Sequence, residues 1–353
     1  MNKLNVGVLF GGNSTEYEVS LVSATSVLRN LDRERFEPIM IGISRDGRWF
    51  RYFGDLESIE NGKWIDSDQK IPAFISPDSA EHCLYDAENG RLTAHRLDVV
   101  FPVLHGKNGE DGTVQGLLAL AQIPFVGCDT AASAVCMDKE LTHIVLSHYN
   151  IPGARWVAFR EDDRESFPAL CARVEKELGF PVFVKPARAG SSVGVSKVNM
   201  PYELGDALKK AFEVDSKAVV EEFIDGREVE CAVMGNRFPN ASVLGEIVPC
   251  NDFYDYDAKY ASESETHIPA RLDEKTTALV RKTAVQAYKA LGCRGLTRVD
   301  FFVKKDGSVI LNEPNTLPGF TSISMYPKLR QADGTSYQTV ISQLIDLALE
   351  NQK

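Results

Sequence analysis

Short apolar runs alternate with amphipathic stretches along the first third of the chain. Residues 4–10 form an apolar run of strand length, a Gly-Gly turn follows, and an amphipathic stretch extends from about residue 19 to 31. A strand, a glycine turn and a helix in this order typically open a doubly wound α/β unit. We therefore predict an amino-terminal α/β substrate domain, residues 1–138, built on a doubly wound parallel sheet.

The pattern changes after residue 138, where helices of 3.6-residue period mix with β-branched runs. Residues 139–221 are predicted to form a central domain whose strands flank a glycine- and serine-rich loop. Residues 222–353 are predicted to form a third domain. It begins near Asp225-Gly226, a pair that favours a two-residue hairpin loop. The predicted fold class is thus α/β followed by α+β.

A second Asp-Gly pair, Asp306-Gly307, lies between two apolar runs and predicts a further hairpin. A two-residue loop there would pair Lys305 with Ser308, and counting outward fixes which side chains oppose one another along both strands. A slip of one residue would move every side chain to the other face.

This register places Asp300 opposite Glu313 and Arg298 opposite Asn315, with all four side chains on one face. Opposed carboxylates destabilise a sheet, whereas two carboxylates and an amide oxygen suit Mg²⁺. The alternatives are a solvated face or an Arg–Asp salt bridge. Pro314 lacks a ladder N–H, so the second strand is predicted at a sheet edge or with that position unpaired.

Lys185 lies inside an apolar strand that leads into the loop Gly190-Ser191-Ser192-Val-Gly194. A lysine in an apolar strand costs free energy unless it meets an anion, and glycine-rich loops offer N–H groups to phosphate. The segment is not a Walker A motif. The alternative is an ordinary hairpin loop beside an edge-strand lysine.

Three further segments follow predicted strands, where α/β proteins bind ligands. Glu16, after the first glycine turn, could bind an ammonium, although a capping role for that segment is the alternative. His105 opens a polar glycine-rich loop. Gly319 lies in a turn whose N–H groups could stabilise an oxyanion, or that is simply a Pro-Gly turn. The dinucleotide fingerprint is absent from the sequence, which excludes a dehydrogenase.

The balance of charged residues limits the classes of partner that the protein is expected to bind. The 353 residues carry 39 Lys and Arg against 50 Asp and Glu, a formal net charge of −11. General nucleic-acid and anionic-membrane binding need basic surface, so neither is predicted. The seven cysteines are scattered without CxxC pairs, which favours reduced thiols and no zinc site. With no apolar run long enough for a membrane helix and no targeting segment in view, we expect a cytoplasmic protein.

Together these segments resemble the D-alanine–D-alanine ligase family of the ATP-grasp superfamily, from about residue 4 to the final helix. Asn13, Tyr17 and residues 101–111 also resemble the VanC and VanG ligases, which make D-Ala–D-Ser. The resemblance implies an ATP-grasp fold behind an amino-terminal preATP-grasp domain. It also implies ATP-dependent phosphorylation of one D-alanine, attack by the amine of a second, and release of ADP and phosphate, for peptidoglycan synthesis.

The family's functional positions carry over residue by residue. The resemblance implies two Mg²⁺ ions, replaceable by Mn²⁺, on Asp300, Glu313 and Asn315. The implied ATP-binding residues are Lys139, Lys185, Ser191, Ser192, Glu221, Glu222, Phe223, Glu228 and Lys259. The implied catalytic and substrate-binding residues are Glu16, His105, Ser191, Tyr260, Arg298, Gly319, Ser324 and Met325.

Within these sets, Glu16, Ser191 and Tyr260 are expected to form a hydrogen-bonded triad near the first D-alanine. Lys259 belongs to a predicted lid at about residues 251–265. Met325 is apolar where the D-Ala–D-Ser branch tends to carry arginine, which favours D-alanine as acceptor. A D-Ala–D-Ser ligase is the alternative, and a non-catalytic nucleotide-binding protein is the alternative of a different class. The family also implies a homodimer.

Overall fold

The computed structural model describes residues 3–163, 165–248 and 265–350, and its strands form three sheets. The predicted lid lies outside the described residues except at its last position, and so do Lys259 and Tyr260. No helix in the described part of the chain is long and apolar enough to cross a membrane.

The amino-terminal sheet has seven strands in the order β6-β5-β4-β3-β2-β1-β7. Its strands are β1 Leu4–Gly11, β2 Phe36–Ile43, β3 Trp49–Tyr52, β4 Lys70–Ile75, β5 Cys83–Glu88, β6 Arg91–Arg96 and β7 Val99–Pro102. Only β2, β1 and β7 run parallel, whereas β2 to β6 form an antiparallel meander. The mixed α/β class agrees with the prediction, but sequence analysis missed the meander. Its outer strand β6 is almost wholly exposed and therefore shows no hydrophobic alternation.

Helices cover this sheet and connect it to the rest of the molecule. They are α1 Tyr17–Arg29, α2 Leu56–Glu60, α3 Thr113–Leu120, α4 Thr130–Met137 and α5 Lys139–His148. Helix α1 packs its buried face on the core around Phe10 and Trp64, whose rings meet edge to face at 5.0 Å. This packing fixes the beginning of α1 at the carboxyl end of β1, where ligands bind in such sheets.

The middle sheet has four antiparallel strands in the order β10-β9-β11-β8. They are β8 Trp156–Arg160, β9 Val182–Pro186, β10 Ser196–Val198 and β11 Lys217–Glu222, with α6 Phe167–Glu177 and α7 Leu204–Phe212 packed on one face. The predicted glycine- and serine-rich loop joins β9 to β10, as expected.

The third sheet has five antiparallel strands in the order β14-β13-β12-β15-β16. They are β12 Arg227–Met234, β13 Asn240–Val248, β14 Glu265–His267, β15 Leu296–Val303 and β16 Val309–Asn315. Helices α8 Glu274–Ala290, α9 Met325–Ala332 and α10 Tyr337–Glu350 follow in chain order. The predicted hairpin at Asp225-Gly226 is wrong, because the strands on either side of it belong to different sheets. The pair connects two sheets instead of two neighbouring strands.

The β15–β16 hairpin reaches the predicted pairing by a different route. Its loop is one residue longer than predicted, since Lys304 N–H donates to Ser308 O at 2.9 Å. Lys305 therefore does not pair with Ser308, and the strands start one position out of the predicted register. A bulge at Asn312 restores that register, so Asp300 still opposes Glu313. Strand β16 is an edge strand, which confirms the expectation from its proline.

Each sheet falls almost entirely within one predicted domain, although the domain boundaries themselves stay a prediction. Helix α4 belongs to the first predicted domain, but it also packs against the core of the third sheet. Its Cys136 joins the buried core of the third sheet beside Cys293, with the two sulfur atoms 3.7 Å apart. The amino-terminal and carboxy-terminal parts of the chain therefore share apolar contacts next to the predicted site.

Candidate active site

Two cavities meet where the three sheets converge. The smaller, about 150 Å³, is lined by the α1 entry, the loop after β7 and the turn before α9. The larger, about 490 Å³, lies between the middle and third sheets. Lys139, Ser191 and Glu313 contribute to the walls of both, so the two cavities adjoin. Every predicted site residue that the structure describes lines at least one of them.

Glu16 forms one corner of the smaller cavity. It is 8% exposed and lies directly before α1. The Ser191 hydroxyl donates to its carboxylate, which joins the amino-terminal part to the β9–β10 loop. A Cβ on Gly106 would come within 2.6 Å of the same carboxylate, so that position requires glycine. The Glu16–Ser191 link of the predicted triad is therefore present, and the link to Tyr260 stays a prediction.

Ser191 and Ser192 hold strained backbone at the tip of this loop. Their φ angles are 50° and 57°, a left-handed region that non-glycine residues seldom adopt. Successive backbone N–H groups in a turn form a concavity that is suited to anions. The nine residues between β9 and β10 exceed the usual length of a hairpin loop, which favours the phosphate-binding interpretation over an ordinary hairpin loop.

His105 connects three segments of the smaller cavity. Its Nδ1 lies 3.0 Å from Leu317 O, and its Nε2 lies 3.2 Å from the Ser23 hydroxyl on α1. Burial by itself lowers the pKa of His105, but the carboxylates of Glu110 and Glu16 outweigh it and raise that pKa. Both ring nitrogens are thus engaged by the protein, and the neighbouring carboxylates favour the charged form of the ring.

Lys185 and Glu221 form a buried ion pair in the wall of the larger cavity. Lys185 Nζ donates to Glu221 at 2.6 Å, and His143 Nε2 lies 2.8 Å from the other carboxylate oxygen. Burial raises the pKa of Glu221, but the Lys185 charge and the His143 hydrogen bond outweigh it, so the pKa is well below its ordinary range. Burial likewise lowers the pKa of Lys185, and Glu221 and other carboxylates more than compensate. Both groups are therefore charged at neutral pH.

Lys139 is the second predicted phosphate lysine, and backbone acceptors fix both its ends. Its N–H donates to Ala187 O, and its Nζ donates to Ala189 O at 2.8 Å. The flanking carboxylates of Asp138 and Glu140 are both bound by the buried ammonium of Lys217. The negative charge nearest to Lys139 in the chain is thus already paired with another cation.

Phe223, Glu222 and Glu228 line the outer part of the larger cavity. The ring centroids of Phe223 and Phe183 are 6.1 Å apart. Glu222 accepts from the Arg155 guanidinium at 2.7 Å. An aromatic wall beside carboxylates suits a planar base and a sugar hydroxyl, as the family resemblance implies for these positions.

Three carboxylates lie side by side across neighbouring strands of the third sheet. Glu230 on β12 pairs in register with Asp300 on β15, and Asp300 pairs with Glu313 on β16. We call these three residues the acidic row. Arg298 donates to both oxygens of Asp300 at 2.8 and 2.7 Å, and its Nε lies 3.1 Å from Glu230. These carboxylates raise the pKa of Arg298 well above its ordinary value, against the effect of burial.

The predicted metal ligands fit a hard divalent cation by their donor atoms. Asp300 and Glu313 are directly opposed, and Asn315 pairs with Arg298 two residues along each strand. The predicted alternative, an Arg–Asp salt bridge, is present too, and Asn315 Oδ1 accepts from Leu317 N–H at 3.1 Å. In the described residues no three His, Cys, Asp or Glu side chains converge on one point. Any metal site here would therefore combine two carboxylates with an amide oxygen.

The turn before α9 completes the smaller cavity. The Ser324 hydroxyl contacts the Thr321 hydroxyl at 2.8 Å and accepts from Thr321 N–H. It lies so close to Gly319 that a Cβ there would approach it to 2.7 Å. Met325 is 7% exposed and packs on Gly245, where a Cβ would lie 2.8 Å from its sulfur atom. The cavity therefore has an apolar wall beside a hydroxyl group.

Sequence analysis missed several residues that hold this arrangement together: Ser23, Glu110, His143, Lys217 and Glu230. One weak signal existed for Glu230, since it lies two residues after Glu228 in an apolar strand and so shares its face. Ser23, His143 and Lys217 become functional candidates only through partners distant in sequence, whereas Glu110 lies in the same polar loop as His105.

Known proteins are similar to this sequence over almost its whole length. Sequence profiles for the D-ala D-ala ligase N-terminus and C-terminus match residues 5–128 and 145–346. The chain belongs to the D-Ala–D-Ala ligase family. A D-alanine–D-alanine ligase of Thermoanaerobacter sp. strain X514 is 47% identical over 354 residues, which cover 99% of this chain and 98% of the relative. The corresponding enzyme of Acetivibrio thermocellus is 49% identical over 363 residues, with 99% and 96% covered.

Solved structures give the same family. The VanG D-Ala:D-Ser ligase of Enterococcus faecalis superimposes with a TM-score of 0.90 at 42% identity, covering 98% of this chain and 100% of that one. The D-alanine–D-alanine ligase of Coxiella burnetii gives 0.86 at 36% identity, with 99% and 96% covered. The predicted ATP-grasp fold and the predicted ligase class are thereby confirmed. The residue roles, the metal and the oligomeric state stay predictions.

Proposed function

We propose that this protein is an ATP-dependent D-alanine–D-alanine ligase that makes the dipeptide for peptidoglycan through a D-alanyl phosphate. One observation carries the proposal. The Glu16–Ser191 hydrogen bond joins a substrate-sized cavity to the loop that borders the nucleotide-sized cavity. A carboxylate substrate at that junction would lie within reach of a terminal phosphate.

In the first step a carboxylate oxygen of D-alanine attacks the γ-phosphorus of ATP, and the bond to ADP breaks. Two anions must approach each other, so the barrier falls when fixed positive charge surrounds them. Lys139 and Lys185 would contact the phosphates, and the Ser191-Ser192 turn would supply N–H groups and hydroxyls. Glu16 would hold the ammonium of this first D-alanine.

In the second step the amine of another D-alanine attacks the acyl carbon, and phosphate leaves from a tetrahedral intermediate. Arg298 and the Gly319 N–H would stabilise the negative oxygen of that intermediate. Ser324 would accept the carboxylate of the second substrate. Because an acyl phosphate is lost to water, a cover over the site is required, and the predicted lid with Lys259 and Tyr260 is the candidate.

Asp300, Glu313 and Asn315 would hold the two Mg²⁺ ions that the family resemblance implies, and Mn²⁺ would be able to replace them. The cation would neutralise charge on the transferring phosphate. The direct opposition of Asp300 and Glu313 supports this assignment, because a cation between two opposed carboxylates offsets their mutual repulsion. A homodimer is also proposed, on the family resemblance alone.

Met325 supports D-alanine as the acceptor, because an apolar wall offers no partner for a serine hydroxyl. The likeness to the VanG ligase favours D-serine as a second candidate. Competition among D-alanine, D-serine and D-lactate, with products separated by mass spectrometry, decides between them. We expect D-Ala–D-Ala as the main product, and a preference for D-Ala–D-Ser would reverse the choice.

A non-catalytic nucleotide-binding protein is the remaining alternative. Phosphate release that requires D-alanine excludes it. Nucleotide binding without phosphate release under any of the three acceptors would refute the ligase proposal.

A further inference from the structure

We infer that Glu230 is a positioning residue of the reaction, which keeps the Arg298 guanidinium in place while Asp300 binds the divalent cation. This inference rests on the proposed function, because it takes Arg298 as the oxyanion stabiliser and Asp300 as a metal ligand. The sequence patterns alone give Glu230 no role.

Strand pairing in the third sheet places Glu230 directly beside Asp300. Glu230, Asp300 and Glu313 form one row across β12, β15 and β16. Arg298 and Asn315 form part of the next row on the same face. Glu230 and Asp300 are 6% and 8% exposed, so water does little to screen their repulsion. Arg298 is the cation that contacts both.

Arg298 hydrogen-bonds Asp300 and also forms an ion pair with Glu230. Nε and Nη2 bind the two oxygens of Asp300, which is a bidentate arrangement. Nε also lies 3.1 Å from Glu230 Oε2. The guanidinium therefore has two carboxylate partners on two different strands.

The third step follows from the chemistry proposed for Asp300. A cation bound to Asp300 would repel the guanidinium beside it, so the contact between Arg298 and Asp300 would weaken. Arg298 would then be free to turn unless another anion held it. Glu230 is that anion, and it lies on the side of Asp300 away from Glu313 and Asn315, so it can hold Arg298 without entering the proposed ligand set.

The variant Glu230→Gln tests this, since it keeps the shape and removes the charge. Because oxyanion stabilisation acts in the transition state, we expect kcat to fall by about tenfold or more, with KM for ATP and D-alanine within about twofold. Calorimetry should give a dissociation constant for Mg²⁺·ADP within about twofold of wild type, because the ligands are intact. Glu230→Asp, which keeps the charge on a shorter side chain, should recover part of kcat.

The matched control is Asp86→Asn, which also breaks a buried carboxylate–arginine pair, with Arg51 at 2.6 Å, but lies outside both cavities. It should leave kcat unchanged. In an Arg298→Met background, Glu230→Gln should cause little further loss, since both changes remove the same interaction.

Three results would overturn the inference: an unchanged kcat in Glu230→Gln, a Mg²⁺·ADP affinity weakened about tenfold or more, as for a metal ligand, or full additivity with Arg298→Met. The ratio of variant to wild-type kcat is read with whichever acceptor the wild type uses. A wild type that forms no dipeptide with any acceptor would instead refute the proposed function, and the two failures are therefore distinct.

Discussion

The acidic row and the corner around Glu16 are two halves of the proposed active site, and they are built in opposite ways. In the acidic row, Asp300 and Glu313 are joined by one hairpin, and ladder pairing sets their spacing. In the corner, Ser191 reaches Glu16 across 175 residues and His105 reaches Leu317 across 212. Backbone pairing thus fixes the first half, while side-chain hydrogen bonds between distant segments fix the second.

Because of this difference, substitutions in the two halves should change different kinetic parameters. A side chain lost from the row leaves the backbone in place and removes charge from the reacting centre, so kcat should fall. A side chain lost from the corner loosens the contact between parts of the molecule, so substrate affinity should fall as well. The predictions below run from the largest effect to the smallest.

Glu313→Ala should have the largest effect. Removing a proposed metal ligand should lower turnover about a thousandfold, because charge neutralisation in phosphoryl transfer contributes several kcal/mol. Coupled assay of ADP release measures it. Near wild-type turnover, with an unchanged Mg²⁺ requirement, would refute the metal assignment and leave the row as a purely structural feature.

Lys185→Met should raise KM for ATP about a hundredfold, since it removes a cation from the phosphate site. It also leaves the Glu221 carboxylate with His143 as its described partner, and breaking a buried pair costs about 3–5 kcal/mol of folding free energy. Urea unfolding measures the second effect. Lys185→Arg, which keeps the charge, is the control, and a variant of unchanged KM would exclude Lys185 from the phosphate site.

Ser191→Ala should lower kcat/KM for D-alanine about tenfold, because one hydrogen bond to a charged group contributes about 1.5–3 kcal/mol. If the corner acts through positioning, KM for D-alanine should rise more than kcat falls. Ser196→Ala, on β10 outside both cavities, is the control. A loss confined to kcat would place Ser191 with the acidic row in function and break the comparison.

Glu110→Gln should have the smallest effect, and it depends on pH. The pKa of His105 is raised in the folded protein, so its contribution to stability is full below the unfolded value of about 6.5 and is lost as pH rises through the folded value. The variant should therefore be less stable than wild type at pH 6, and the difference should shrink at pH 9. Urea unfolding at both pH values checks this. A difference that grew with pH would contradict the assigned charge on His105.

Much of the fold followed from local patterns. The β1–turn–α1 opening, the β9 loop and the β15–β16 hairpin all depend on neighbouring residues, and the structure has each of them. The meander of β3 to β6 did not follow, since partly exposed strands carry little hydrophobic signal. Asp225-Gly226 misled for a related reason: a turn pair shows that the chain bends, whereas which strands pair depends on distant parts of the chain.

The acidic row shows the same limit within a correct prediction. The opposition of Asp300 and Glu313 was predicted on a two-residue loop, and the structure has a longer loop with a compensating bulge. The right pairing thus came from two local deviations that cancel. The two carboxylates lie opposite each other on one face of the sheet, and the turn residues alone do not set that position.

By itself the sequence determined the family, the ligase class and the identity of most side chains at the site, because those depend on residue types at fixed spacings. Only the tertiary structure decided that Glu230 joins Asp300, that Ser23 contacts His105, and that Lys217 binds the carboxylates around Lys139. Those contacts join strands, helices and loops far apart in the chain. A buried charge has a defined role only once its partner is known, and the partner is set by packing.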